Sequence, residues 1–217
     1  MVIDFHAHIY PAKIAEKATK AIGDFYNTSM AFTEWLNDCT AQFCDFVHIV
    51  EFTAEPFSFP EWFKYTFPEV IWSDRCVRDD TDIERRVNNT LLKGLVNDIE
   101  VFRCRGLIDE TPHYQQYLAQ INAIRHKYPE LLLGAGRFVH MDGFTCSSED
   151  IIARGYAGGN RLAIVATTLA EDGASGNISV PGYRFVESSS IGNVTVNRTG
   201  TKLSLGQHGI TVLIFEK

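Results

Sequence analysis

This chain changes character once along its length, and the change constrains its fold more than any single motif does. Up to about residue 154, short apolar runs alternate with helical patterns; over residues 155–217 no helical period survives, and ten of the sixteen glycines fall there. Strand-then-helix repetition favours a parallel sheet covered by helices, either open or closed into part of a barrel. A glycine-punctuated series of short apolar runs favours antiparallel strands packed as a sandwich.

Individual segments carry the two patterns. Residues 2–8 read as a strand, and residues 11–26 as a helix begun by Pro11 with Ile14, Ala18, Ile22 and Phe25 on one stripe. The runs 46–50 and 70–72 read as buried strands, each followed by acidic residues. Thr81 and Glu84 form a capping-box pattern, and Val87, Leu91 and Leu95 recur at four-residue spacing, which predicts a helix over 81–98 and then a strand over 99–103. A further helix starts at Thr111-Pro112, carries Tyr114, Leu118, Ile121 and Ile124 on one side, and stops before Pro129. In the tail, strands are expected over 161–168, 177–180, 193–199, 202–205 and 210–215. Val194 and Val196, then Leu203 and Leu205, alternate with polar neighbours, as in a sheet with one packed and one wet face.

Composition narrows the function classes. The formal charge of -7 and the lack of any Lys/Arg-dense stretch argue against nucleic acid as a partner. No apolar run approaches the roughly 18 residues that span a bilayer, and no leader pattern opens the sequence, so a cytoplasmic protein without a membrane partner is expected. Cys39, Cys44, Cys76, Cys104 and Cys146 are odd in number and form no CxxC pair, which predicts reduced thiols.

The opening residues hold a second signal. His6 and His8, separated by one residue on a strand, point the same way, and two imidazoles on one face can share a metal ion. Asp4-Phe5-His6-Ala7-His8, followed by Ile9-Tyr10-Pro11 and a helix, resembles the start of the metal-dependent amidohydrolases related to aminocarboxymuconate-semialdehyde decarboxylase, over residues 1–33. The resemblance implies that His6 and His8 bind a divalent metal such as zinc, with the third ligand open among His48, Asp109, His140 and Asp142. A hydrolytic zinc needs three protein ligands and one open position for water.

A broader resemblance covers residues 34–217. Phe59-Pro60-Glu61-Trp62, Thr66-Phe67-Pro68-Glu69-Val70, Leu91-Leu92-Lys93-Gly94-Leu95, Asn97-Asp98-Ile99-Glu100-Val101 and Tyr128-Pro129-Glu130-Leu131 resemble the distal strands and helices of a (β/α)8 glycoside hydrolase. The stretches Gly159-Asn160-Arg161-Leu162 and Leu205-Gly206-Gln207-His208-Gly209-Ile210 are similar to the small β domain that follows such barrels. A complete barrel commonly takes about 250 residues, more than this chain offers once the tail is set aside. The expected fold class is therefore α/β, an incomplete parallel (β/α) barrel-like part followed by a small antiparallel β-sandwich domain. Its expected divisions are an amidohydrolase-like βα start (1–33), a partial barrel (34–154) and the β domain (155–217), in a truncated or rearranged chain.

The resemblance implies a carbohydrate-active hydrolase that needs no cofactor, or a non-catalytic fragment of one that binds carbohydrate, with an oligosaccharide or other small molecule as substrate. Glycosidic cleavage takes two carboxyl groups across the scissile bond. Glu51, just after the run 46–50, and Asp74, just after 70–72, are the candidates, because barrel enzymes carry their chemistry at C-terminal strand ends. Glu61 and Glu69 precede their strand and are weaker choices. Between residues 57 and 72 lies an aromatic belt, Phe57, Phe59, Trp62, Phe63, Tyr65, Phe67 and Trp72, which either fills the layer under the helices or offers flat faces to sugar rings, Trp62 foremost. Arg103 and Arg105 are candidates for gripping a substrate carboxylate, or are ordinary ion-pair partners. An incomplete barrel leaves a sheet edge open, which predicts self-association.

Overall fold

A computed structural model of the chain describes residues 2–5, 30–33, 46–50, 59–75, 80–98, 110–133 and 136–217. Its first layer is a parallel sheet of five strands, β1 (Val2–Phe5), β2 (Met30–Thr33), β3 (Phe46–Val50), β4 (Ile71–Arg75) and β5 (Val96–Asp98), in strictly sequential order. Parallel neighbours need crossover connections. Helix α1 (Phe59–Thr66) lies between β3 and β4, and α2 (Ile83–Lys93) lies between β4 and β5. The sheet crosses position 33 without a break, since Phe32 pairs with Phe46 and Thr33 with Val47.

Local chemistry explains where these elements stop. The helix expected over 81–98 ends instead at Lys93, because Gly94 takes a left-handed conformation (φ 69°), and its N–H returns to the carbonyls of the last turn. The chain is then free to enter β5. A side chain at Gly94 would press on the Tyr156 ring, 3.0 Å from where a Cβ would stand. The capping box is not used: Asp82 is the N-cap, with φ 51° and no side-chain cap bond. Strand β4 is longer than expected and runs on through Asp74 to Arg75. The expected helix over 11–26 and strand over 99–103 lie outside the described residues.

Beyond β5 come α3 (Pro112–Lys127), as its proline start and apolar stripe predict, and the short α4 (Pro129–Leu132). Nine antiparallel strands follow: β6 (Arg137–His140), β7 (Thr145–Cys146), β8 (Ile151–Gly158), β9 (Arg161–Thr168), β10 (Ala174–Ser179), β11 (Arg184–Ile191), β12 (Val194–Val196), β13 (Lys202–Leu205) and β14 (Ile210–Glu216). They form two sheets, β11-β14-β9-β8-β6 and β12-β13-β10-β7. Strands β6 to β8 join these sheets from ahead of Gly155, so the antiparallel layer reaches further back than the glycine count suggests. The strand expected over 193–199 stops at Val196, where the Asn197 carboxamide oxygen accepts from the N–H of Thr201 and Lys202 at 2.9 and 3.0 Å and folds the chain into a turn.

The five-stranded antiparallel sheet is covered on both faces. Leu162, Ile164 and Ala166 of β9 and Leu213 and Phe215 of β14 pack with Ile178, Leu203 and Leu205 of the second sheet. The alternate residues Ala163, Val165, Val212 and Ile214 pack with Val87, Leu91, Tyr117 and Ile121 of α2 and α3. That double cover is why β9 and β14 are buried almost continuously where β13 alternates. Tyr156 on β8 secures the helical side by donating to the carbonyl oxygens of Leu91 and Leu92 at 3.1 and 2.8 Å. Arg125 of α3 is buried and donates to Asn97 Oδ1 and to the Leu95 carbonyl at 2.8 and 2.7 Å, tying α3 to β5.

Candidate functional site

Among the described residues, two places carry groups able to do chemistry or bind a ligand: the C-terminal ends of the parallel strands, and a cleft between α1 and β6. At the strand ends, Asp74 sits on β4 paired in register with Ile49 of β3 and Asn97 of β5, and it is fully enclosed. Trp72, two residues earlier, packs on Phe63 of α1 with ring centroids 5.6 Å apart. Strand alternation puts Asp74 on that same helix-facing side. Glu51, Arg103, Arg105, His6, His8 and Asp109 lie outside the described residues, and His48 occupies the β3 position opposite Ser73.

The cleft, about 310 Å³, is lined by Glu61, Trp62 and Tyr65 from α1 and by His140 and Asp142 from the end of β6. Helical spacing distributes the α1 side chains. Phe63 and Phe67, four residues apart, turn inward onto the small core of Val47, Val70, Trp72 and Leu95. Trp62 and Tyr65, three apart, turn outward on the other side, and Trp62 is 80% exposed. The described part of the aromatic belt is thus split, with Phe63, Phe67 and Trp72 in the core and Trp62 and Tyr65 at the surface, while Phe57 and the Phe59 side chain lie outside what is described. Trp62 and Asp74 share no surface, since one is in solvent and the other enclosed.

Opposite α1, the ladder between β6 and β8 shifts register between Phe138 and His140, and His140 takes a left-handed conformation, φ 54°. This irregularity turns the imidazole and the following Asp142 toward α1. The Tyr65 hydroxyl donates to Asp142 Oδ2 at 2.6 Å, closing one wall of the cleft. That bond and the carboxylate's charge hold the phenol above its ordinary pKa. His140 Nε2 lies 3.6 Å from Glu61 Oε2. Partial burial and the nearby Arg154 guanidinium hold His140 below the usual histidine range, against the pull of Glu61 and Asp142.

Glu61 forms the floor. It is buried, and its two oxygens accept from Nε and Nη2 of Arg154 on β8, both at 3.1 Å. Its negative charge is spent on this bidentate pair, so Glu61 positions the floor and faces His140. The sequence weighs Glu61 only as a weak catalytic acid and does not single out Arg154; a guanidinium inside the apolar stretch 151–157 is the signal that a buried acceptor must meet it. What this set can offer a ligand is an indole face, a half-engaged carboxylate and an imidazole edge. Among the described residues no group of three His, Cys, Asp or Glu side chains is arranged to hold a metal ion, and no helix is long and apolar enough to cross a membrane.

No family model matches this sequence, and no curated protein does. Solved structures do match. The chain superposes over 100% of its length on a family 30 endoxylanase from Clostridium papyrosolvens, with a TM-score of 0.57 and 10% identity. It superposes equally completely on the α-amylase from Geobacillus thermoleovorans complexed with acarbose, with a TM-score of 0.62 and 12% identity, and on the α-amylase from H. orenii, at 0.60 and 13%. It spans 65%, 60% and 60% of those chains respectively, so it is similar to about three fifths of each. At such identities the likeness is one of fold: a mixed α/β arrangement shared with glycoside hydrolases. The amidohydrolase resemblance of residues 1–33 gains nothing from these comparisons.

Proposed function

We propose that this chain is a carbohydrate-active, glycoside hydrolase-like protein built as part of a parallel (β/α) barrel with an antiparallel β domain. The observation that carries the reading is the superposition of the whole chain, sequential parallel sheet and β domain together, on a xylanase and two amylases. The strictly sequential order of β1 to β5 supports it, since that is how strands succeed one another around such a barrel. The substrate class that follows is an oligosaccharide, and the reading requires no cofactor.

In this proposal hydrolysis falls to two carboxyl groups at neighbouring strand ends. Glu51 follows β3, and Asp74 lies on the adjacent β4. One would protonate the leaving oxygen while the other attacks, or activates water, from the opposite face of the ring, and this requires the enclosed Asp74 carboxyl to be uncovered when substrate binds. Arg103 and Arg105 are proposed to steady the substrate. A sugar-binding role without turnover is the companion reading, favoured by the exposed indole of Trp62. A divalent metal on His6 and His8 belongs to the amidohydrolase reading, which no described residue favours.

The test is release of reducing sugar from xylan, starch and a panel of aryl glycosides. Turnover that disappears in both Glu51→Gln and Asp74→Asn supports the hydrolase and its acids. Turnover unchanged in both rejects these residues, and a wild-type protein that neither cleaves nor binds any sugar rejects the carbohydrate reading.

A further inference from the structure

We propose that the cleft between α1 and β6 is a binding site for a neutral sugar ring, stacked on Trp62 and hydrogen-bonded by Asp142 and His140. The choice of a sugar as occupant rests on the carbohydrate reading above; the placement rests on the cleft itself.

The neighbouring aromatics are engaged in structure: Phe63 and Phe67 lie on the Val47–Trp72 core, and Tyr65 is bonded to Asp142. Among the described aromatics Trp62 is the most exposed, at 80%, and it stands beside a concave floor. An indole face pairs well with the C–H face of a pyranose, while the ring's hydroxyls need polar partners at its edge. The cleft supplies them. Asp142 accepts one bond from Tyr65 through Oδ2 and keeps acceptor capacity on its remaining lone pairs, and His140, 42% exposed, offers a ring nitrogen toward the same space.

Charge selects among sugars. The lining holds two carboxylates, and the guanidinium nearest the floor is buried and held by Glu61. Arg137, exposed near the Tyr65 hydroxyl, does not line the cleft. Among the described lining residues no free cation offsets Asp142, which disfavours a uronate or a sugar phosphate there, whereas a neutral xylose or glucose unit meets acceptors suited to its hydroxyls. The volume, about 310 Å³, lies at the small end of ligand pockets and suits one or two rings of a longer chain. The site is held in shape by the bidentate Glu61–Arg154 pair behind it and by the Tyr65–Asp142 bond across it. Little ordering is then left for the ligand to impose.

Calorimetric titration of the full chain with xylohexaose, maltohexaose and glucuronic acid tests this. Trp62→Ala should weaken binding of the preferred neutral hexaose by about tenfold or more, Trp62→Phe should restore part of it, and Asp142→Asn should weaken it with the fold unchanged by circular dichroism. Binding to wild type that survives equally in Trp62→Ala and Asp142→Asn overturns the cleft while leaving the carbohydrate reading standing. Glucuronic acid bound more tightly than either hexaose overturns the assignment of a neutral sugar. No binding of any of the three to wild type overturns the cleft, and with no hydrolysis either the carbohydrate reading falls with it.

Discussion

The guanidinium of Arg154 on β8 grips both carboxylate oxygens of Glu61 on α1, and the pair is enclosed at 2% and 4% exposure. It joins a crossover helix of the parallel layer to the antiparallel sheet, across 93 residues of sequence. Because both charges have left water, each depends on the other. Arg154→Met is expected to cost about 3–5 kcal/mol, since it leaves Glu61 buried and unpaired. The combined Glu61→Leu/Arg154→Met variant should recover much of that loss. Urea unfolding of the two single variants and the double measures the coupling, and strictly additive costs would mean the pair is not interdependent.

His140 makes the junction sensitive to acid. Its folded pKa lies below the usual 6.5, through partial burial first and then the Arg154 charge, while Glu61 and Asp142 oppose the shift. A depressed folded value means the unfolded chain binds the proton more readily, so stability is full above about pH 6.5 and falls as the pH drops through the folded pKa. His140→Asn tolerates the left-handed backbone and removes the titration. Wild type should lose stability relative to this variant as the pH falls from about 7.5 to 5, as read by chemical unfolding. A difference independent of pH would contradict it.

Gly94 is where the α2 helix gives way to β5. At φ 69° an alanine costs about 1–2 kcal/mol in backbone strain, and its Cβ would meet the Tyr156 ring at 3.0 Å. Moving that ring disturbs the hydroxyl bonds to the Leu91 and Leu92 carbonyls. Gly94→Ala should therefore destabilise by more than the strain alone, and Gly94→Ala in a Tyr156→Phe background by less than the sum of the two. Thermal unfolding of the four proteins distinguishes these.

Among the described residues, β1 and β5 end the parallel sheet with one neighbour each. Unpaired strand edges recruit further strands. We expect self-association at micromolar concentration in light scattering, weakened by a lysine placed within β1 at Ile3. A monodisperse monomer across the concentration range would reject an open edge in solution.

Much of this fold is legible in the residues. The run FVHIV stands as β3 with the bounds its apolar pattern predicts, and the Pro112 helix stops just before Pro129. Strands β9 and β13 coincide with their expected spans, and Leu203 and Leu205 are buried between exposed neighbours. Less legible were β8 and β11. The second carries three serines, and the hydroxyls of two of them find partners on other elements, Ser190 with Thr211 and Ser189 with Lys127 and Tyr128. Such pairing has no one-dimensional signature. The helix end at Gly94 was readable from a Lys-Gly dipeptide at the close of an apolar stripe, but Leu95 continued the stripe and masked it.

Period and punctuation are local properties, so the sequence by itself determined that parallel strand-helix units come first and antiparallel strands after. Which apolar face meets which is not local. Only the tertiary structure decided that the middle antiparallel sheet is covered on one side by α2 and α3 and on the other by a second sheet. It also divided an aromatic belt that reads as one feature into a core trio and an exposed pair, because a helix sends residues three and four apart to faces that only packing can name. Glu61 is the sharpest case: as a letter it is one acid among many, and its character comes from an arginine far along the chain that burial obliges it to meet.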